Sequence, residues 1–140
     1  MTVAIATTRD IGACLALRRT VFIEEQQVPE ADEIDDLDAD ALHILATDTG
    51  RPVGSARILL SDDTAKIGRV CVLKDQRGTG LGAALIRAAL DVAREQAGVT
   101  RAKLGAQEYA IPFYEKLGFV AFGPVYLDAG IRHRDMELTL

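Results

Sequence analysis

Apolar residues recur along the chain at two different spacings, and the change between them predicts where helices and strands lie. Two segments carry apolar residues three and four positions apart, and a proline suited to a first helical turn marks a third. The predicted helices run from Ile11 to about Gln26, from Leu81 to about Ala97, and from Pro112 to just before Gly118. Thr7 or Thr8 is expected to cap the first helix, because a hydroxyl accepts an unpaired N–H of the first turn.

Short apolar stretches between turn signals predict strands. The predicted strands are Thr2–Ile5, Ala41–Thr47, Pro52–Leu60, Lys66–Leu73, Ala102–Ala106, Phe119–Phe122 and Arg134–Leu140. The second, third and fourth follow one another as a meander, after which helices and strands alternate. The pattern predicts one α/β or α+β domain over residues 1–140, without repeats or linkers.

Composition favours a soluble cytoplasmic protein. Hydrophobic residues make up 49% and charged residues 26%, which is typical of globular domains. The longest apolar stretch falls far short of the ~20 residues of a membrane span, and no secretory signal is visible. The two cysteines, Cys14 and Cys71, lie far apart and form neither a zinc motif nor a disulfide framework.

Charge is distributed unevenly. The net charge of −5 argues against a nucleic-acid partner. Residues 24–40 hold nine acidic side chains and no basic one, so the remainder carries 12 acidic and 16 basic residues, a net +4. This segment is either a solvated loop or an attractor of cations. Its Asp36-x-Asp38-x-Asp40 run lacks the glycine and the final glutamate of a calcium loop, so no metal is expected.

A glycine-rich loop, Arg77 to Gly82, joins a predicted strand to a predicted helix. Glycines let backbone N–H groups approach an anion, and a helix N-terminus adds unpaired donors, so the loop predicts a pyrophosphate site. A tight turn that needs glycine for its dihedral angles is the alternative. A Walker loop is excluded because no Lys-Ser or Lys-Thr follows. A dinucleotide fold is disfavoured because residues 98–103 hold no carboxylate.

Two blocks of sequence resemble a known family. Arg77-x-x-Gly80-x-Gly82, after a strand that ends in Val70-Cys71-Val72, resembles motif A of the GCN5-related N-acetyltransferase (GNAT) superfamily. About 30 residues further on, Phe113-Tyr114-Glu115-Lys116-Leu117-Gly118-Phe119 resembles its motif B. The resemblance covers essentially the whole chain and implies the GNAT fold, with a mixed central sheet of about six to seven strands and about four helices.

Other segments resemble one branch of that superfamily, the small bacterial ElaA-like and YjcF-like acyltransferases. They are Arg18-x-x-Val21-Phe22-x-x-Glu25-Gln26 with the acidic stretch and His43, then Ile67-Gly68-Arg69-Val70, Ala106-Gln107 and the tail from Gly130 to Met136. The start also resembles acyl-homoserine-lactone synthases, which are longer chains. The branch supplies no defined substrate.

The resemblance implies acetyl-CoA as the donor, bound where two parallel strands splay apart, here Ile67–Leu73 and Ala102–Ala106. Loop N–H groups would hold the pyrophosphate, and the main chain of the preceding strand would pair with the pantetheine arm. The implied donor-binding residues are Val70, Cys71, Val72, Arg77, Gly78, Thr79, Gly80, Leu81, Gly82, Gln107 and Tyr114. Cys71 points away from its two neighbours on the strand, so core packing is its default role.

Amine acetylation needs a neutral amine, a polarised carbonyl and a stabilised thiolate. Tyr114 is expected to be the general acid toward the thiolate, and the N–H of Val72 the donor to the carbonyl. Glu25 and His133 are candidates for the base or for acceptor contact. Asp35, Asp36 and His43 are further candidates for the base, and a chain of water molecules in place of a single base is the alternative.

Arg69 stands in a predicted strand and needs a partner, either a carboxylate of the acidic segment or an anionic substrate. The charge pattern predicts a small cationic acceptor with a primary amine, and it predicts that Asp35 and Asp36 help to attract it. Two other functions stay open: a non-catalytic acetyl-CoA sensor or partner module, and a nucleotide-binding oxidoreductase. A homodimer is compatible with the sequence.

Overall fold

The computed structural model describes residues 3–140 and contains one seven-stranded sheet of order β1-β2-β3-β4-β5-β7-β6. The strands are β1 (Val3–Thr8), β2 (Leu42–Asp48), β3 (Arg51–Ser61), β4 (Thr64–Val72), β5 (Arg101–Gln107), β6 (Val120–Asp128) and β7 (Ile131–Thr139). The α-helices are α1 (Ile11–Arg18), α2 (Glu30–Glu33), α3 (Leu81–Arg94) and α4 (Ile111–Glu115). Within residues 3–140, β4 and β5 are the one parallel pair, so the mixed sheet and the about four helices that the resemblance implied are confirmed.

Alternation along the central strands places apolar side chains on both faces of the sheet. On β2, Ile44 and Ala46 belong to the main core beneath α3, whereas Leu45 packs with Leu17 and Val21 on the α1 side. Within the described residues 3–140, no helix is long and apolar enough to cross a membrane.

The first helix differs from its prediction at both ends. Its N-cap is Asp10, whose carboxylate accepts the N–H of Ala13 at 3.0 Å. The threonine cap was therefore wrong, and Thr8 instead accepts the N–H of Asp10. After Arg18 the backbone continues as a π-helix over Arg19–Glu25. Such wide turns often accompany functional sites, and this one directs the chain toward the sheet edge where β4 and β5 separate.

A β-bulge interrupts β4 at Arg69. Across the β3–β4 pair, Ser55 lies opposite Cys71 and Arg57 lies opposite Gly68, so β4 has one residue more than β3 between these partners. Arg69 adopts a φ of +49°, a conformation that costs a non-glycine residue energy. Bulges re-aim side chains and end regular pairing, and this one lies beside the candidate site.

The splay that the resemblance implied is confirmed. The parallel pairing of β4 with β5 spans only Thr64–Lys66 and Arg101–Lys103, after which β4 bends away and β5 continues alone on that side. Because the strands diverge, their edges leave backbone groups and space for an added chain.

The closing hairpin is longer than predicted. The sixth strand was expected to span Phe119–Phe122, but it continues past Gly123 and Pro124, with an irregular register between Phe122 and Tyr126. Ala129 and Gly130 form the turn with φ of +51° and +77°. The added residues bring His133 opposite Tyr126 on one side and opposite Gln107 on the other.

Candidate active site

A cleft of about 280 Å³ opens where β4 and β5 separate. Its walls come from the π-helical segment and α2 on one side and from the β6–β7 hairpin on the other. A groove toward the glycine loop continues from it, because both are lined by Gln26, Val70, Gln107, Tyr109 and Ile131. The arrangement gives one passage that runs from the loop, past the end of β4, into the cleft.

The glycine loop presents unpaired backbone donors at the start of α3. The first helical hydrogen bond runs from the N–H of Ala84 to the carbonyl of Gly80 at 3.1 Å. The N–H groups of residues 81–83 therefore precede any helical acceptor. Gly78 and Gly80 have φ of +79° and +86°, and a Cβ on either would meet nothing within 4 Å. The glycines are thus needed for their backbone conformation, and the space before the donors is open to an anion such as pyrophosphate.

Arg77 does not extend freely from this loop. Its guanidinium donates to the carbonyl of Val72 at 3.0 and 3.1 Å and binds the Glu25 carboxylate at 2.5 and 3.0 Å. The hydrogen bond from Arg77 lowers the pKa of Glu25, which weakens the candidacy of Glu25 as a base. The pair crosses the groove and links the π-helical segment to the loop.

Cys71 lines the same groove from the core side. Its Sγ lies 3.3 Å from Ser55 Oγ, and burial raises the pKa of the thiol. Burial also raises the pKa of Cys14 to about 11. Both cysteines are therefore uncharged packing residues at neutral pH, which agrees with the packing role expected for Cys71.

Tyr114 reaches the cleft from α4. Its ring stands edge-on to Phe113 at 5.0 Å and to Phe119 at 6.0 Å between centroids. Burial raises the pKa of Tyr114 to about 12, so the hydroxyl keeps its proton and is available as a donor. The two phenylalanines fix the ring that carries it.

The two histidines occupy different surroundings. His133 lines the cleft, and its Nδ1 lies 2.8 Å from the carbonyl of Ile131. Because a carbonyl only accepts, Nδ1 carries a proton, and in the neutral ring the lone pair is then on Nε2. His43 is buried outside the cleft and donates through Nε2 to the carbonyl of Asp38 at 2.9 Å. His43 therefore matches the packing role that was the main expectation for a strand histidine.

Gln107 ends β5 at the junction of cleft and groove. Its amide Nε2 donates to Gln26 Oε1 at 3.4 Å, across the passage. This long hydrogen bond joins the two walls of the passage.

A cluster of three arginines and three carboxylates lies behind the cleft wall. The arginines are Arg18, Arg57 and Arg69, and their partners from the acidic segment are Glu33, Asp35 and Asp38. Arg18 is fully buried, with Nε 2.6 Å from Glu33 and Nη1 2.7 Å from Asp38. Arg69 donates to the carboxylate of Asp35 at 3.2 Å and to the backbone carbonyl of Glu33 at 2.9 Å.

This cluster bears out the expected carboxylate partner of Arg69, but it changes the meaning of the acidic segment. Hydrogen bonds from Arg57 lower the pKa of Asp35, which is therefore an ionised structural group. Asp36 is exposed and does not line the cleft. Neither Asp35 nor Asp36 lines the cleft, so its geometry does not favour the expected attraction of an acceptor by these two residues. Arg57 was missed, although an arginine inside a predicted apolar strand needs a buried partner by the argument applied to Arg69.

Two carboxylates of the cleft wall, Asp32 and Asp128, make no ion pair within residues 3–140. One belongs to α2 and the other to the β6–β7 hairpin, so they flank the opening from opposite sides. In the same described part of the chain, no group of three or more His, Cys, Asp or Glu side chains is arranged to hold a metal ion.

A splayed parallel strand pair beside a glycine loop and a tyrosine-bearing short helix is the architecture of acyl-CoA N-acyltransferases. A family model described as an acetyltransferase (GNAT) domain matches residues 13–140. The chain belongs to this family, whose members transfer acyl groups from acyl-CoA to amines. This membership excludes the oxidoreductase alternative.

Individual relatives agree with the assignment. The chain is 40% identical over 121 residues to YjcF of Bacillus subtilis, described as an uncharacterized N-acetyltransferase, covering 86% of each protein. A crystal structure of an acyl-CoA N-acyltransferase from Pseudomonas aeruginosa superposes with a TM-score of 0.89 at 32% identity, covering 98% of this chain and 99% of that one. The structure of Escherichia coli ElaA gives 0.87 at 32% identity over 98% and 99% of the two chains. These likenesses confirm the fold and the branch that the sequence suggested.

Proposed function

We propose that this protein transfers the acetyl group of acetyl-CoA to the primary amine of a small acceptor that arrives as an ammonium ion. The carrying observation is that one continuous passage connects the glycine loop with both Tyr114 and His133. A donor bound along this passage would have its anionic end at the loop and its thioester in the cleft.

Backbone geometry supports the donor site. The N–H groups of residues 81–83, together with the turn through Gly78 and Gly80, form a cradle for pyrophosphate oxygens. Val70 and Val72 line the groove and offer main-chain partners to the pantetheine arm. Thr79 Oγ1 donates to the carbonyl of Gln76 at 2.6 Å and thereby fixes the shape of the loop.

The reaction divides its protons between two side chains. His133 Nε2 accepts a proton from the ammonium group, and the neutral amine attacks the thioester carbon while the N–H of Val72 polarises the carbonyl. The C–S bond breaks as the C–N bond forms, and Tyr114 donates to the departing thiolate. Of the two protons that leave nitrogen, one ends on sulfur and one is released to solvent.

The raised pKa of Tyr114, about 12, shapes its part in this scheme. A thiol with a pKa near 8.5 is a stronger acid than this phenol, so the tyrosine stabilises the thiolate chiefly by donating a hydrogen bond. Tyr114 therefore keeps its proton, and the thiolate takes up a proton from solvent. Glu25 acts through Arg77 rather than as the base, because the two are already paired.

Asp32 and Asp128 are the basis for a positively charged acceptor. Both carboxylates face the cleft without an ion pair in the described residues, so they favour a cation at its opening. The carboxylates in the arginine cluster are already neutralised and contribute little to this attraction.

The test is thiol release from acetyl-CoA with a panel of neutral, cationic and anionic primary amines. We expect cationic amines to give the highest kcat/KM, and we expect that value to fall with added salt. Asp32→Asn should reduce the preference, whereas Asp36→Asn, a carboxylate of the same segment outside the cleft, should not. A preference for anionic amines would contradict the proposal that the acceptor is a cation. The absence of thiol release with every amine would contradict the proposal that the acceptor reacts through a primary amine.

A further inference from the structure

His133 is held in place by an aromatic ring from the neighbouring strand. The rings of Tyr126 and His133 are stacked, with 5.8 Å between centroids and 24° between planes. The two residues lie directly opposite each other in the β6–β7 register, so their side chains share the cleft face of the sheet.

Tyr126 is itself fixed by a carboxylate two residues beyond His133. Its hydroxyl donates to Asp135 Oδ1 at 2.9 Å, and Asp135 Oδ2 lies 3.8 Å from Lys103 Nζ. Burial and this hydrogen bond raise the pKa of Tyr126 to about 12, so it remains a donor throughout the working range. A fixed phenol on β6 thus contacts a fixed carboxylate and a stacked imidazole, both on β7.

Gly105 on β5 leaves space for the hydroxyl of Tyr126. Gly105 lies opposite Asp135, and a Cβ added to Gly105 would overlap the Tyr126 hydroxyl oxygen. Gly105 has an ordinary negative φ and could adopt its backbone conformation with any side chain. The absence of a side chain here therefore has a packing reason, the seating of Tyr126.

We infer that Tyr126 is a positioning residue, which holds the His133 imidazole so that Nε2 faces the amine. The inference rests on the proposed function, in which His133 takes the amine proton. Without the ring, the imidazole would keep the hydrogen bond from Nδ1 to Ile131 O, which is the one side-chain hydrogen bond that His133 makes within residues 3–140. The imidazole would then turn about its side-chain bonds, and the fraction of molecules with Nε2 toward the amine would fall.

The charged neighbours of His133 are distributed over both walls of the cleft. Asp128 lies on its own hairpin, and Tyr109 and Tyr114 lie on the connection after β5. The opposite wall carries Asp32, Glu33, Lys66 and Arg69. None of these is altered by a change at Tyr126, so a change in the titration of His133 in such a variant reports the loss of the ring and of its link to Asp135.

The chain has only two histidines, which makes the test direct. Nitrogen-15 spectra of the imidazoles distinguish the two tautomers, and a His133→Gln variant assigns the signals. We expect His133 as the Nδ1–H form and His43 as the Nε2–H form in the unaltered protein. Tyr126→Leu should give a mixture of tautomers and a shifted titration midpoint for His133, with His43 unchanged. Tyr126→Phe keeps the ring and should show a smaller change.

Kinetics provide the second readout. Tyr126→Leu should lower kcat by about 10-fold, within the range of general-base effects. It should also move the lower limb of the pH–kcat/KM profile and leave the KM for acetyl-CoA unchanged. Leu127→Ala, at a 69% exposed position on the other face of β6, is the control and should change none of these values.

The outcomes separate the inference from the proposed function. If His133 keeps its tautomer and its titration midpoint in both Tyr126→Leu and Gly105→Ala, the positioning role is wrong, whatever the activity. If both variants change the His133 signals while His133→Gln retains full kcat, Tyr126 positions the imidazole but the base assignment fails. Should Tyr126→Leu not fold, Gly105→Ala still tests the inference, because its Cβ would displace the Tyr126 hydroxyl.

Discussion

At the scale of single residues, the hydroxyl of Tyr114 is the group whose removal tests the chemistry with least change in shape. Tyr114→Phe keeps the edge-on contacts with Phe113 and Phe119 and removes only the donor to the thiolate. We expect kcat to fall by roughly 10–100-fold and the dissociation constant for acetyl-CoA to stay within about twofold, because the hydroxyl acts mainly in the transition state. Steady-state kinetics and calorimetric titration measure the two quantities. An unchanged kcat would remove Tyr114 from the mechanism.

The carboxylate of Asp35 is a single group whose removal should change the stability of the fold. Its ion pairs with Arg57 and Arg69 lower its pKa below the unfolded value of 3.8. The bound arginines thus stabilise the fold fully above that pH, and this contribution is lost as the pH falls through the lower, folded pKa. Asp35→Asn should reduce the free energy of unfolding by about 2 kcal/mol at pH 7 and should flatten its decline below about pH 4.

Urea unfolding followed by circular dichroism between pH 3 and pH 7 checks this expectation. The matched control is Asp36→Asn, the exposed neighbour that makes no ion pair within the described residues. An equal loss of stability in both variants would mean that the arginine cluster does not depend on Asp35.

At the scale of elements, the start of α3 is the part of the donor site that can be tested alone. Gly80→Ala places a Cβ at a φ of +86°, which costs about 1–2 kcal/mol. Gly98→Ala does the same at a φ of +77° beyond the other end of the helix, also with open space around it. Both variants should lose similar stability, so they are a matched pair.

Coenzyme A separates the two variants. In the unaltered protein, ligand at 100 times its dissociation constant should stabilise the fold by about 2.7 kcal/mol. We expect the Gly98 variant to keep this shift in melting temperature and the Gly80 variant to lose most of it, because its N–H groups no longer converge on one anion. Equal responses in the two variants would place the pyrophosphate elsewhere.

The sequence predicted those elements best that depend on interactions between residues close together in the chain. The helix Leu81–Arg94 and the loop before it were predicted well, since their glycines, apolar spacing and helix start lie within one short segment. The N-cap at Asp10 was missed because Thr7, Thr8 and Asp10 each offer a capping oxygen within four residues. The length of the β6–β7 hairpin was missed because Gly123-Pro124 is a local signal for a turn, and only pairing with β7 overrides it.

Within the candidate site, the glycine loop and the end of β4 were predictable from the sequence, and the assembly of the cleft was not. Loop donors and the end of β4 are contiguous in sequence, whereas the cleft is assembled from four distant segments. The role of Tyr126 depends on its register with His133 and on a glycine in another strand, Gly105. The charge of residues 24–40 was visible in sequence, but not that three of its carboxylates face buried arginines, because that depends on how α2 packs against β3 and β4.

At the scale of the whole molecule, one ion pair joins the cleft wall to the glycine loop. Glu25 ends the π-helical segment that walls the cleft, and Arg77 begins the glycine loop on the other side of the groove. The pair is partly exposed, with 34% and 40% of the two side chains accessible, so its own contribution to stability is small. Its larger effect is electrostatic, because Glu25 neutralises the guanidinium nearest to where an anionic donor would bind.

This arrangement predicts opposite consequences for the two partners. Glu25→Gln should free the charge of Arg77 and tighten binding of coenzyme A by about 2–5-fold at low salt, consistent with roughly 0.2–1 kcal/mol for exposed pairs. Arg77→Gln should weaken it by a similar factor. Both effects should shrink in 0.5 M salt, where the Debye length falls to about 4 Å, and neither should appear with acetyl-pantetheine, which lacks the pyrophosphate. Calorimetric titration of both ligands measures these changes, and kcat of the Glu25 variant distinguishes the two roles once proposed for this residue. If Glu25 is the base, the Glu25→Gln variant should lose most of its activity. If Glu25 acts only as the partner of Arg77, the variant should keep kcat within about twofold, since Glu25 then does not touch the reacting atoms.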